Sequence, residues 1–205
     1  MKKNTHFTLN NANTLMILSA GVLIGLLAVL TSFWVGRTWK NHQILNQDIN
    51  HLPSPAVDFS LKAASGEAHS IRALYGKIIL LSFGATTCNQ PCDDMLSKLA
   101  SARTDLGADK DHVQVIILAL DSEQDSPAAL TAYVQKFDPS FLALSGSKND
   151  LNDIARSYDV IYSTVKDYQP AAMLIDPQGQ WQEVYTSETN IKEITTDMQQ
   201  YLSYH

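Results

Sequence analysis

Hydrophobic positions divide the chain into two regions of different character. From Thr14 to Gly36 there is no charged residue, and TLMILSAGVLIGLLAVLTSFWVG supplies the roughly 20 apolar residues that cross a bilayer core. The pattern predicts a single transmembrane helix over 14–36, preceded by a short cytoplasmic N-terminus, 1–13. A cleaved signal peptide is the competing reading, but its apolar core runs about 7 to 15 residues and ends in small residues, whereas this run ends in Phe33-Trp34-Val35-Gly36. Phe33, Trp34 and Trp39 suit an aromatic belt at the lipid surface, and no cysteine follows the span to take a lipid. Lys2 and Lys3 before the span and Arg37 and Lys40 after it lean only slightly toward an N-in, domain-out orientation.

Beyond the span, residues 37–52 are polar with scattered apolar positions and read as a linker. A folded domain is predicted over 53–205. Residues 57–61 alternate like a strand, turn at Gly66 and return through 69–71 as a hairpin. The run 77–83, KIILLSF, is continuously apolar, as in a strand buried on both faces. Apolar residues then recur at near-helical spacing over 92–106, with Gly107 placed to end the helix. HVQVIILAL, 112–120, is a second buried strand, and Ser126-Pro127 opens a helix with a cap and proline at the first helical position. A short strand at 141–144, a capped helix at 147–158, strands at 171–176 and 181–185, and an amphipathic helix over 191–202 complete the pattern. This alternation predicts an α/β fold with a sheet covered on both faces and active groups at the carboxyl ends of its strands.

Charge narrows the partners. All 21 acidic residues lie beyond the predicted span, so the exported part is more acidic than the whole chain, whose formal charge is −6. Such a surface does not suit a phosphate backbone, and no nucleic-acid partner is expected. The two cysteines, Cys88 and Cys92, sit four positions apart at the predicted strand-to-helix junction. At that spacing one pair of side chains either chelates a soft cation or closes a disulfide if the loop bends. Thiolates select Cu(I), zinc or iron-sulfur centres, and two thiolates alone fill neither a tetrahedral zinc site nor a cluster, which leaves copper as the best metal match. A helix N-terminus also lowers a nearby thiol's pKa, so thiol-disulfide exchange is equally compatible. An inert disulfide or two buried thiols is the bland alternative, and the position at a strand's carboxyl end argues against it.

Four segments, GKIILLSFGATTCNQPCDDML, ALDSEQDSPAALTAYVQKF, LSGSKNDLNDIARSYDVIYS and MLIDPQG, follow one another in an order and spacing that resemble the Sco/SenC family. The similarity covers roughly residues 53–200. The resemblance implies a thioredoxin-like fold on a membrane anchor, with the domain on the exported, periplasmic or equivalent, side. It also implies a role in assembling the CuA centre of cytochrome c oxidase, and a Cys-x-x-x-Cys pair that binds Cu(I), here Cys88 and Cys92. The partner implied is a cytochrome c oxidase subunit or another exported thiol protein. The family's third copper ligand is a histidine, and Gln169, or Tyr168 in another alignment, stands at its position. None of His6, His42, His51, His69, His112 and His205 falls there. Asp121 matches a family position near the site.

The segment 170–176 also resembles the stretch of thioredoxin-like reductases in which a cis proline faces the cysteines, making Pro170 a candidate site residue with a cis peptide bond. Met95 and Met173 are soft enough to complete a Cu(I) site but lie on apolar faces. Asp93 and Asp94 are placed to complement the helix dipole, to tune the thiols or to meet a partner. Two main functions follow. One is a copper chaperone that passes Cu(I) from Cys88 and Cys92 to an oxidase subunit. The other is a thiol-disulfide oxidoreductase in which the more exposed Cys88 attacks a partner's disulfide and Cys92 resolves it, with Pro170 beside them. A partner-binding domain whose redox site has decayed is a third reading. A peroxidase is a weaker one, because Ala85 and Leu81 occupy positions where its Pro and Thr/Ser pattern would fall.

Overall fold

The computed structural model describes residues 53–203. The predicted anchor over 14–36, with 1–13 and the linker 37–52, lies outside them, and among the described residues no helix is long and apolar enough to cross a membrane.

Eight strands and four α-helices make up the described chain. The strands are β1 (Ser54–Pro55), β2 (Ser60–Lys62), β3 (Ala68–Ser70), β4 (Ile78–Gly84), β5 (Val113–Ala119), β6 (Leu142–Leu144), β7 (Ala172–Ile175) and β8 (Gln180–Tyr185). The helices are α1 (Gln90–Asp105), α2 (Pro127–Val134), α3 (Lys148–Ser157) and α4 (Ile191–Ser203). One six-stranded sheet has the order β1-β8-β7-β4-β5-β6, and β2 and β3 form a separate hairpin.

The apolar run read as a doubly buried strand is β4, all seven of whose residues are buried. It can be apolar throughout because it lies in the middle of the sheet, parallel to β5 on one side and antiparallel to β7 on the other. β6 continues the parallel half, and β8 and β1 continue the antiparallel half. This mixed order positions the site. Because β7 runs against β4, the segment entering β7 lies at the same edge of the sheet as the segment leaving β4. Leu120 N–H donates to the Gly84 carbonyl at 2.9 Å, extending the ladder so that the exits of β4 and β5 are fastened side by side.

Helix α1 buries Met95, Leu96, Leu99 and Ala102 and packs against α4, which buries Ile194, Thr195 and Met198. Helix α2 packs on β6 and starts as its sequence predicts, with the Ser126 hydroxyl accepting the Ala129 N–H at 3.1 Å and Pro127 in the first turn. The β2–β3 hairpin is stapled to the edge of the sheet by reciprocal backbone bonds between Lys62 and Ser145, at 3.1 and 2.9 Å. The predicted strand at 57–61 is shorter and later than expected. Asp58 instead uses its side chain to receive the Arg72 N–H, and the ladder begins at Ser60.

Candidate functional site

The site is built on the connection from β4 to α1. After Gly84 the chain turns over 85–88, closed by Cys88 N–H donating to the Ala85 carbonyl at 3.1 Å. Asn89 then reverses the chain with φ 60° and ψ −145°, and its carbonyl accepts the N–H groups of Cys92 and Asp93, both at 3.1 Å, as α1 begins. Cys88 therefore precedes the helix and Cys92 lies in its first turn. The loop bends enough to bring their Cα atoms to 5.8 Å, and the pair is closed as a disulfide.

The conformation of Asn89 is one that residues with a Cβ rarely adopt, and holding a residue there costs on the order of 1–3 kcal/mol. Its side chain offsets part of this by donating to the Thr87 carbonyl at 3.0 Å. Asn89→Gly is expected to stabilise the oxidised protein by about 1 kcal/mol, the relieved strain exceeding glycine's greater unfolded-state entropy. Urea unfolding with the disulfide intact measures this, and a lower midpoint in the glycine variant would refute the assignment of strain.

Two side chains outside the loop hold it. Both carboxylate oxygens of Asp125, itself only 2% exposed, bond to Thr86: Oδ2 accepts the backbone N–H at 3.0 Å and Oδ1 accepts the hydroxyl. On the first turn of α1, Asp93 accepts the Tyr133 hydroxyl of α2 at 2.5 Å. Burial, then the bond to Asp93 and that carboxylate's charge, push the Tyr133 phenol well above its ordinary value. Asp121 is a turn-former here. Its Oδ1 accepts the N–H groups of Glu123 and Gln124, each at 3.2 Å, shaping the loop that carries Asp125.

Pro170 and Gln169 do approach the helix that carries Cys92. With Pro91, Asp94, Met95 and Lys98 they line a cavity of about 280 Å³. Lys98 fixes the far wall of this cavity, its Nζ donating to the carbonyls of Thr186, Ser187 and Thr189. The expectation of a cis peptide at Pro170 is corrected: the peptide bonds of the described residues are all trans. Trans is the intrinsically preferred form of an X-Pro bond, and the buried Pro170 takes it while entering β7.

The donor set around the cysteines is soft but small. Tyr168 is buried, and desolvation pushes its phenol up to about 12, so it is a protonated hydroxyl at neutral pH. Gln169 is exposed and offers only an amide. Met95 and Met173 are 3% and 1% exposed and belong to the core, although Met95 also borders the cavity. Of the two histidines among the described residues, His112 precedes β5 and so lies at the opposite end of the sheet from Cys88, while His69 sits beside Glu67 on the hairpin attached to β6. Among the described residues no group of three or more His, Cys, Asp and Glu side chains is arranged to hold a metal ion. His6, His42, His51 and His205 lie outside them.

Thr86, Asp125, Tyr133 and Lys98 escaped the sequence reading. Each is a common residue type whose neighbours along the chain do not reveal its partner, because that partner lies in a distant segment.

Comparison with known proteins agrees with this architecture. The family model described as SCO1/SenC matches residues 49–203. The bovine (Bos taurus) mitochondrial protein SCO2 homolog is 31% identical over 157 residues, which are 71% of this chain and 59% of the bovine protein's own length. An SCO2-like protein of Rickettsia prowazekii is 25% identical over 196 residues, 90% of this chain and 94% of that protein. Among solved structures, yeast Sco1 with copper bound superposes with a TM-score of 0.65 at 25% identity, covering 76% of this chain and 96% of that one. The family match runs unbroken from β1 through both cysteines to the closing helix, and the chain belongs to the SCO1/SenC family.

Proposed function

We propose that the protein is a membrane-anchored assembly factor for the copper centre of cytochrome c oxidase, acting through the dithiol and disulfide states of Cys88 and Cys92. The anchor is the apolar segment 14–36, and the domain from residue 53 onward works on the exported side. The observation that carries this reading is the closed Cys88–Cys92 pair at the junction of β4 and α1, within a domain that matches SCO1/SenC along its whole length.

In the reduced state the two thiolates offer a soft, two-sulfur site suited to Cu(I) as a cargo; Cu(II) favours nitrogen and oxygen in a square arrangement. Neither described histidine, His69 or His112, stands at the pair, and a site without imidazole favours ligand exchange with a partner over permanent storage. The same thiols reduce a partner. Cys88 thiolate attacks one sulfur of the partner's disulfide and releases the first partner thiol. Cys92 thiolate then attacks the Cys88 sulfur of the mixed disulfide, releasing the second partner thiol and closing Cys88–Cys92. The partner gains the two electrons that this chain gives up.

Anaerobic titration of the reduced protein with Cu(I) against a competing chelator tests the copper half. The wild type is expected to bind one equivalent tightly, and Cys88→Ala/Cys92→Ala to lose it. Equally weak binding by both would refute copper handling. That outcome would leave the second reading, a thiol-disulfide oxidoreductase that binds no copper, which the closed disulfide and the absence of a nearby imidazole favour.

A further inference from the structure

We infer that Asp125 is a positioning residue for the Cys88/Cys92 pair, gripping the cysteine loop through Thr86 so that the two sulfurs are held within bonding range and the disulfide is favoured over the dithiol. The inference rests on the redox reading above and adds a residue outside the cysteine motif to it.

Asp125 is buried, and among the described residues no basic side chain lies within ion-pair distance of it. A carboxylate taken out of water without a cation needs charge-assisted hydrogen bonds in compensation. Here both oxygens spend theirs on one residue, Thr86, two positions before Cys88. The anchor is itself firmly seated. Asp125 N–H donates to the Asp121 carbonyl at 2.8 Å, the Asp121 side chain secures the intervening turn, and Ser126, next in sequence, caps α2.

The far end of the loop is fixed separately by the first turn of α1, through the bonds from Cys92 and Asp93 to the Asn89 carbonyl. The short segment between the two fixtures contains Cys88. With both ends held, a reduced Cys88 has little freedom to leave Cys92. Once the grip on Thr86 is removed, the dithiol form recovers backbone entropy over 85–89 that the disulfide form, still tied by its own bond, cannot. The equilibrium therefore moves toward the dithiol. Freedom returned to about one residue corresponds to a change on the order of tenfold in that equilibrium.

The test is the midpoint potential of Cys88/Cys92 in the full-length, detergent-solubilised protein. The protein is equilibrated in dithiothreitol buffers of graded oxidation, and its free thiols are trapped by alkylation. Reduction takes two electrons and two protons from dithiothreitol, which becomes its own cyclic disulfide. Asp125→Ala is expected to disfavour the disulfide about tenfold, a rise of about 30 mV for this two-electron couple. Thr86→Val is expected to shift it in the same direction, and Thr86→Ser, which keeps the hydroxyl, to match the wild type. A merely structural role would lower the melting temperature of the oxidised and reduced forms equally and leave the potential alone. Dithiol–disulfide equilibrium constants within twofold of wild type for both Asp125→Ala and Thr86→Val would therefore overturn the inference. Should Asp125→Ala fail to fold, Thr86→Val carries the test, since it retains the backbone bond to Asp125. A wild type inert toward Cu(I) and toward protein disulfides would refute the proposed function and leave this equilibrium still measurable.

Discussion

A Cys92→Ser chain is expected to accumulate a lasting mixed disulfide through Cys88, while Cys88→Ser accumulates none. The two sulfurs are not equivalent. Cys88 precedes α1 and is 7% exposed, whereas Cys92 is held in the first helical turn at 2%. Access therefore favours Cys88 as the attacking thiol, and the partial positive charge of the α1 N-terminus supports its thiolate. With Cys92 present, attack on a disulfide such as oxidised glutathione ends in Cys88–Cys92 and two released thiols. With serine at 92 the reaction stops halfway, and mass spectrometry reads one glutathionyl adduct per chain. An adduct of equal yield in Cys88→Ser would reverse the assigned roles.

The largest effect on stability is expected at Arg103, in the last turn of α1, at the other end of the helix from Cys92. Its side chain is 8% exposed, and it donates to Asp138 at 2.8 Å, to Asp111 at 3.2 Å and to the Val113 carbonyl at 3.3 Å. One guanidinium thus ties α1 to the start of β5 and to the loop before β6. Asp111 is 81% exposed and adds little, but Asp138 is 14% exposed and would be left without its cation. Arg103→Ala is expected to destabilise the domain by about 3–5 kcal/mol, as is typical when one partner of a buried pair is removed. Guanidinium unfolding at neutral pH measures this, and a loss below about 1 kcal/mol would show that the pair contributes no more than a surface bridge.

The same pair gives the loss a pH signature. Burial pushes the Asp138 carboxyl up, but the N–H and hydroxyl of Ser140 and the charge and bonds of Arg103 outweigh this and hold it below its ordinary value of 3.8. A carboxyl depressed in the folded state stabilises fully above its unfolded value, and that stability drains away as pH falls through the folded one. The gap between wild type and Arg103→Ala is therefore expected to be widest at neutral pH and to narrow below pH 3.8.

Much of this domain could be read along the chain because its elements are locally consistent. The run 77–83 became β4, the helical spacing over 92–106 became α1 beginning two residues earlier, and Ser126-Pro127 opened α2 in the expected manner. Each of these signals is a periodicity or a cap, carried by neighbouring residues. The two-residue β1 carries no such signal and exists only because β8 offers it an edge. The isomer of Pro170 likewise could not be read from a motif, since the surrounding chain decides which form a given proline adopts.

The site divides in the same way. By itself the sequence determined that two soft, nucleophilic groups stand at a strand-to-helix junction, in a pattern shared with SCO1/SenC proteins, because residue type and spacing are local properties. Only the tertiary structure decided how those groups are held: a closed disulfide, a strained Asn89, Thr86 gripped by a carboxylate 39 residues away, and Gln169 and Pro170 brought alongside α1 by an antiparallel strand. A buried carboxylate and a solvated one are the same letter in a sequence. What separates them is the loss of water around one of them, and that loss is made by segments distant in the chain closing over it.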